Sequence, residues 1–165
     1  MRHFFLFILI IVTVFSCKKP VIYSKIPALE YKSFELKDTT DLLDNKIKQG
    51  VLTVSFVDGD GDIGLSPSDT LPPFDTSSIY FYNLYIDVYK MQNDTLVLQN
   101  LQVPLRYRIQ DLTPKGQNKT LKGTISVSIN YNYYDINDTF KYNVFIYDRA
   151  LNKSNVVETP VLIIK

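Results

Sequence analysis

The chain has 165 residues, 45% of them hydrophobic and 21% charged, with 18 basic against 17 acidic side chains. That length supports one domain with a sizeable core and is tight for two. The near-balance of charge, with no basic stripe and no arginine cluster, excludes a nucleic-acid surface.

The N-terminus comes first in chain order. Arg2 and His3 precede the apolar run "FFLFILIIVTVF", Phe4 to Phe15. It is too short to cross a bilayer as a helix, which takes roughly 20 apolar residues, and it suits the core of a secretory signal. "VFSC" follows, with small Ser16 before Cys17, the only cysteine in the chain. With Val14 three positions before the Cys, this segment resembles the lipobox of bacterial lipoproteins. The resemblance implies cleavage before Cys17 and diacylation of its thiol. Each buried acyl CH₂ contributes about 0.8 kcal/mol, so two chains hold a protein at a membrane. An ordinary signal peptide with an incidental Cys is the alternative. The expected organisation is a signal peptide over 1–16, an acylated Cys and extended tether over 17–28, and one domain over 29–165.

Cleavage removes Arg2 and no acid, so the mature side chains balance at 18 − 1 = 17 basic and 17 acidic. It also removes His3, the only histidine. A mature domain with no His and no free Cys excludes Ser-His and Cys-His nucleophilic sites and histidine-bound zinc.

The Tyr- and Phe-rich composition, without Trp, favours strands over helices. "LEYKSFELK" predicts a short first strand, and the polar "DTTDLLDNKIKQG" after it a loop. In "VLTVSFV", Leu52, Val54 and Phe56 share one face. "SPSDTLPPFDTSS", with three prolines, is irregular. "IYFYNLYIDVYKM" is apolar on both faces and predicts a long central strand from residue 79. "QND" turns it into "TLVLQNL" as a hairpin, and "PLRYRIQ" alternates again. "GTISVSINYNYY" is a half-buried strand, with Ile125, Val127, Ile129 and Tyr131 inward and Thr124, Ser126, Ser128 and Asn130 outward. "FKYNVFIYD" and "VVETPVLIIK" complete a count of seven or eight strands with no amphipathic helix. The expectation is an all-β antiparallel β-sandwich.

The stretch "FVDGDGDIGLSPSD" carries the one constellation with metal chemistry. Calcium takes about six to eight hard oxygen ligands at flexible spacing. Asp58, Asp60 and Asp62 alternate with glycines, which permit tight turning. On the spacing of a helix-loop-helix calcium loop, Gly64 offers a carbonyl, Ser66 a hydroxyl and Asp69 the closing carboxylate. Ile63 departs from that pattern, where glycine is usual, and a strand rather than a helix leads in. The expected ligand set is therefore Asp58, Asp60, Asp62, Gly64, Ser66 and Asp69, on a strand-borne loop where the calcium is structural. The alternative is a solvated turn whose Asp side chains bond the local backbone. No organic cofactor is expected.

"YNVFIYDRALNKSNVVETPVLII" resembles the final hairpin of immunoglobulin-like and fibronectin type III-like domains, with Asp148, Asn152, Ser154 and Asn155 in the turn. Across the mature chain, "SFVDGDGDIGL", "NLYIDVY", "LTPKGQNKTLKGTISVSI" and "DRALNKSN" resemble uncharacterised outer-membrane lipoproteins of the Bacteroidetes type. The resemblance implies an anchored immunoglobulin-like domain of the cell envelope. Surface-exported members carry an acidic run after the Cys. Here Lys18 and Lys19 stand there, which leaves the periplasmic face and the cell surface both open. The expected function is a non-catalytic interaction or accessory domain, attached to the membrane by its acyl chains and to an envelope protein partner. A glycan-binding module, using the tyrosines of "NYNYYD", is the first alternative. A carboxylate-dependent hydrolase is the second.

Overall fold

A computed structural model describes residues 21–134 and 138–165. Cys17 and the signal peptide lie outside the described residues. Among the described residues there are nine strands and no helix: β1 (Ala28–Thr40), β2 (Lys46–Asp58), β3 (Leu84–Gln92), β4 (Thr95–Leu98), β5 (Leu105–Tyr107), β6 (Leu121–Asn132), β7 (Asp138–Ile146), β8 (Val157–Glu158) and β9 (Leu162–Ile164).

These form two antiparallel sheets. One has the order β1-β2-β6; the other has β4-β3-β7-β8, with β5 also on β3 and β9 on β7. The chain crosses between sheets after β2, after β5 and after β6. Period-two alternation explains the core. Leu52, Val54 and Phe56 of β2 face Leu84, Ile86 and Val88 of β3 and Tyr142, Val144 and Ile146 of β7 in one buried cluster. Two sheets that each bury one face against the other make a β-sandwich, the coarse architecture expected from the sequence.

Tyr142 ties the sheets together. Its ring stacks on Phe34 of β1 at 6.1 Å, and its hydroxyl lies 2.5 Å from that of Tyr131 on β6. A buried phenol needs a hydrogen-bond partner, and here each supplies the other. Burial pushes the Tyr131 hydroxyl up to about 12 and raises Tyr142 as well.

Three elements differ from the sequence expectation. The polar stretch after Lys37 is mostly strand: β1 runs to Thr40 and β2 starts at Lys46. The turn between them is held by Asp41, whose Oδ1 accepts the amides of Leu43 at 2.8 Å and Asn45 at 3.0 Å. The central strand starts at Leu84 rather than residue 79. Asn83 leads into it: its amide donates to the Tyr107 carbonyl and its carbonyl accepts the Tyr147 amide, both at 3.0 Å, while its side-chain Oδ1 accepts the Ile109 amide at 2.6 Å. Residues 79–82 instead turn over the outer face, where Tyr80 meets Tyr147 edge-on and Tyr85 stacks on Phe145. Their aromatic content covers a sheet instead of lying within it. Finally, "VVETPVLIIK" splits into β8 and β9 around Pro160, which has no amide to donate. Thr159 fills the gap, its hydroxyl accepting the Tyr142 amide at 3.0 Å.

Candidate metal centre

The alternation that buries Leu52, Val54 and Phe56 continues by two to the last residue of β2. That residue is Asp58, so a carboxylate stands on the core-facing side of the strand and is 0% exposed. It bends the following loop back on itself: the Asp62 amide donates to Asp58 Oδ2 at 2.9 Å. Gly61, at φ 66°, makes that return. A side chain there would also run into the carbonyl oxygen of Lys119 in the β5–β6 loop. Ile63 and Leu65 then plug the end of the sandwich, at 1% and 3% exposure. This explains the hydrophobic residue where a helix-loop-helix calcium loop has glycine.

The result is a convergence of charge. Asp58, Asp60 and Asp62 each bring one carboxylate oxygen into a group lying within 4.8 Å of one another. One oxygen of each, Oδ1, is buried without a hydrogen-bond partner. The second oxygens of Asp58 and Asp62 are used structurally, Asp58 on its own loop and Asp62 on the Ala150 amide at 3.1 Å. Among the described residues, no lysine or arginine pairs with the three. Burial, and then the charges of Asp60 and Asp62, push the Asp58 carboxyl up to about 7. Asp62 is raised by burial and by the charges of Asp148 and Asp60.

Asp148 is the fourth carboxylate of this end, and the metal spacing in the sequence does not point to it. It sits at 2% exposure just after β7. Its oxygens accept from the Asn152 amide at 2.7 Å and the Asn152 side chain at 2.8 Å. The signal for it was its place in the "DRALNKSN" turn, which showed a local bonding role and not its approach to the aspartate loop. Burial raises it, and the charge of Asp60 adds to that. The two loops are joined further by the Arg149 amide, which donates to the Asp62 carbonyl at 3.2 Å. The N-terminal lead-in meets the same loop, with the Gly59 amide donating to the Ser24 carbonyl at 2.7 Å.

Of the rest of the expected ligand set, Asp69 and Ser66 have other partners. Asp69 does not close on the trio; its Oδ2 is 2.5 Å from Arg149 Nη1 and accepts the Ser66 amide at 2.7 Å. The Arg149 hydrogen bond holds its carboxyl below the usual range. The Ser66 hydroxyl is engaged with Ser68 at 2.9 Å. Gly64, at φ 111°, is packed against the backbone of Gln110. The physical reason is the lead-in: a strand followed by a sharp turn fixes alternate residues 58, 60 and 62 about a point. The chain then leaves along Ile63 and Leu65 into the core instead of circling the point as a helix-loop-helix loop does.

Three carboxylate oxygens, buried and without hydrogen-bond partners, lie close enough together that they could hold one metal ion. Comparison with protein-family models, with curated proteins and with solved structures finds no match.

Proposed function

We propose that the chain is a lipid-anchored protein of the bacterial cell envelope whose single domain is non-catalytic and serves interaction or accessory roles, with one structural calcium ion on the aspartate loop. The observation that supports the calcium reading is Asp58. It is fully buried, one of its oxygens has no partner, and the oxygens of Asp60 and Asp62 gather beside it. An ion at that point offsets the repulsion of three carboxylates and the cost of burying them. It also fastens β2 to the loop after β7, since Asp62 holds both. Calcium suits this better than magnesium, which prefers a rigid octahedron with retained waters.

We read the sandwich as immunoglobulin-like, of the fibronectin type III kind. The partition of strands into β1-β2-β6 and β4-β3-β7-β8 supports that reading. The anchoring reading rests on Cys17 and the apolar run before it.

Two experiments test the proposal. Differential scanning calorimetry with calcium and then with excess chelator reads the ion. At about a hundredfold excess of calcium over Kd the gain is about 2.7 kcal/mol, or roughly 5–10 °C for a domain of this size. An unchanged melting temperature removes the calcium reading. Metabolic labelling with palmitate reads the anchor: the wild-type chain takes up label and Cys17→Ser does not. Equal labelling of both removes it.

A further inference from the structure

We propose that strand β6 is a pairing edge, and that its occupant is the β6 strand of a second copy of this chain, running antiparallel across a two-fold axis at Val127. Sheet edges carry unpaired backbone donors and acceptors, and proteins protect them with charge, proline, bulges or shortness. Every other edge among the described residues is protected. β1 carries exposed Glu30, Lys32, Glu35 and Lys37, and its register with β2 shifts between Tyr31 and Ser33. β4, β5, β8 and β9 are four residues long or shorter. Apart from one lysine near its start, β6 has none of these devices. It spans 12 residues, contains no proline, and pairs with β2 through an unbroken register from Leu121 to Asn132. Its backbone pairs with β2 alone among the described residues. Its one charged residue, Lys122, is turned onto the Tyr23 ring, with Nζ 3.7 Å from the ring centroid.

The pattern of β6 is complementary to itself. Antiparallel neighbours directly opposite one another share a face. With Val127 opposite its own copy, Ile125 falls opposite Ile129 on the core side. Ser126 then meets Ser128, and Thr124 meets Asn130, on the exposed side. Lys122 meets Asn132, so no like charges oppose. Beside β6 lies a groove of about 380 Å³ lined by Ile125 and Val127 with Tyr107, Ile109 and Leu112. Ile125 and Val127 are only half-buried in the single chain, and Leu112 is exposed. Pairing would complete the hydrogen bonds of β6, make one continuous six-stranded sheet, and bring the partner's Ile129 and Ile125 over that groove.

The inference is independent of the calcium reading, since β6 contributes no residue to the aspartate cluster. Its test uses the full-length chain in mild detergent, with Cys17→Ser to remove the native thiol and Val127→Cys to place one at the axis. Mild oxidation should give a covalent dimer on a non-reducing gel. Val161→Cys, at an exposed site beside β9, should give none. Adding Ser126→Lys and Ser128→Lys sets like charges opposite each other twice and should reduce the dimer about tenfold. Adding Ser126→Lys with Ser128→Glu sets opposite charges there and should restore it, which also shows that substitution at these sites leaves the fold intact. A Val127→Cys chain that stays monomeric overturns the proposal. So does equal cross-linking of Val161→Cys, an indifference to the charge pairs, or capture of a different protein at residue 127 in whole membranes without self-dimer.

Discussion

Asp58 is the residue on which the candidate site turns. It continues the core-facing series of β2, yet it is a carboxylate, and its burial raises it to about 7. The sign of the pH dependence follows. In calcium-free protein the folded-state value lies above the ordinary value of 3.8. Asp58 therefore favours folding most below pH 4, and that contribution is lost as pH rises through 7. Chelated protein should melt lower at pH 8 than at pH 5, and saturating calcium should narrow or reverse the difference. Melting curves across that range check this; a chelated protein that gains stability steadily from pH 5 to 8 contradicts it. Asp58→Asn should be more stable than wild type in chelator at pH 8, by about 1–3 kcal/mol, because a buried unpaired charge is gone. The same variant should gain little from calcium.

The loop as an element separates two acids that look alike in the sequence. The alternation of Asp58, Asp60 and Asp62 with glycine was legible, and their convergence follows from the sharp turn after β2, where Gly61 takes a positive φ and the Asp62 amide bonds Asp58. Asp69 was placed by analogy with a loop between helices. A strand lead-in sends the chain into the core at Ile63 and Leu65, and Arg149 takes the Asp69 carboxylate. No local spacing reveals that pairing, nor the approach of Asp148, because both depend on how the loops after β2 and β7 meet at the end of the sandwich. The variants distinguish the roles. Asp62→Asn should abolish the calcium-induced rise in melting temperature. Asp69→Asn should keep that rise while lowering stability in chelator and calcium alike, through the lost Arg149 pair. Loss of the calcium response in Asp69→Asn would place that residue back among the ligands.

At the scale of the molecule, the sandwich was legible from strand count and alternation, and β6 most plainly so. The start of β3 was not. Tyr80, Phe81 and Tyr82 read as a two-faced strand, but the pairing with Tyr107 and Tyr147 ends at Asn83, whose side chain bonds Ile109, and these contacts are long-range. The pairing of sheets rests on contacts such as Tyr142 with Phe34 and Tyr131. Tyr142→Phe should cost about 1 kcal/mol by leaving the Tyr131 hydroxyl without its buried partner, and urea unfolding reads it. An unchanged midpoint would mean that the hydroxyl pair contributes nothing to holding the sheets. The aspartate loop sits at the end of the sandwich where the N-terminal lead-in arrives, through the Gly59–Ser24 bond. An ion there would stiffen the point where that lead-in meets the domain. The central claim is that ion, and isothermal titration of the chelator-stripped chain with calcium tests it most directly. The account predicts one calcium bound per chain, lost in Asp58→Asn and in Asp62→Asn and kept in Asp69→Asn. No binding to the wild-type chain, or equal binding to all four proteins, would contradict it.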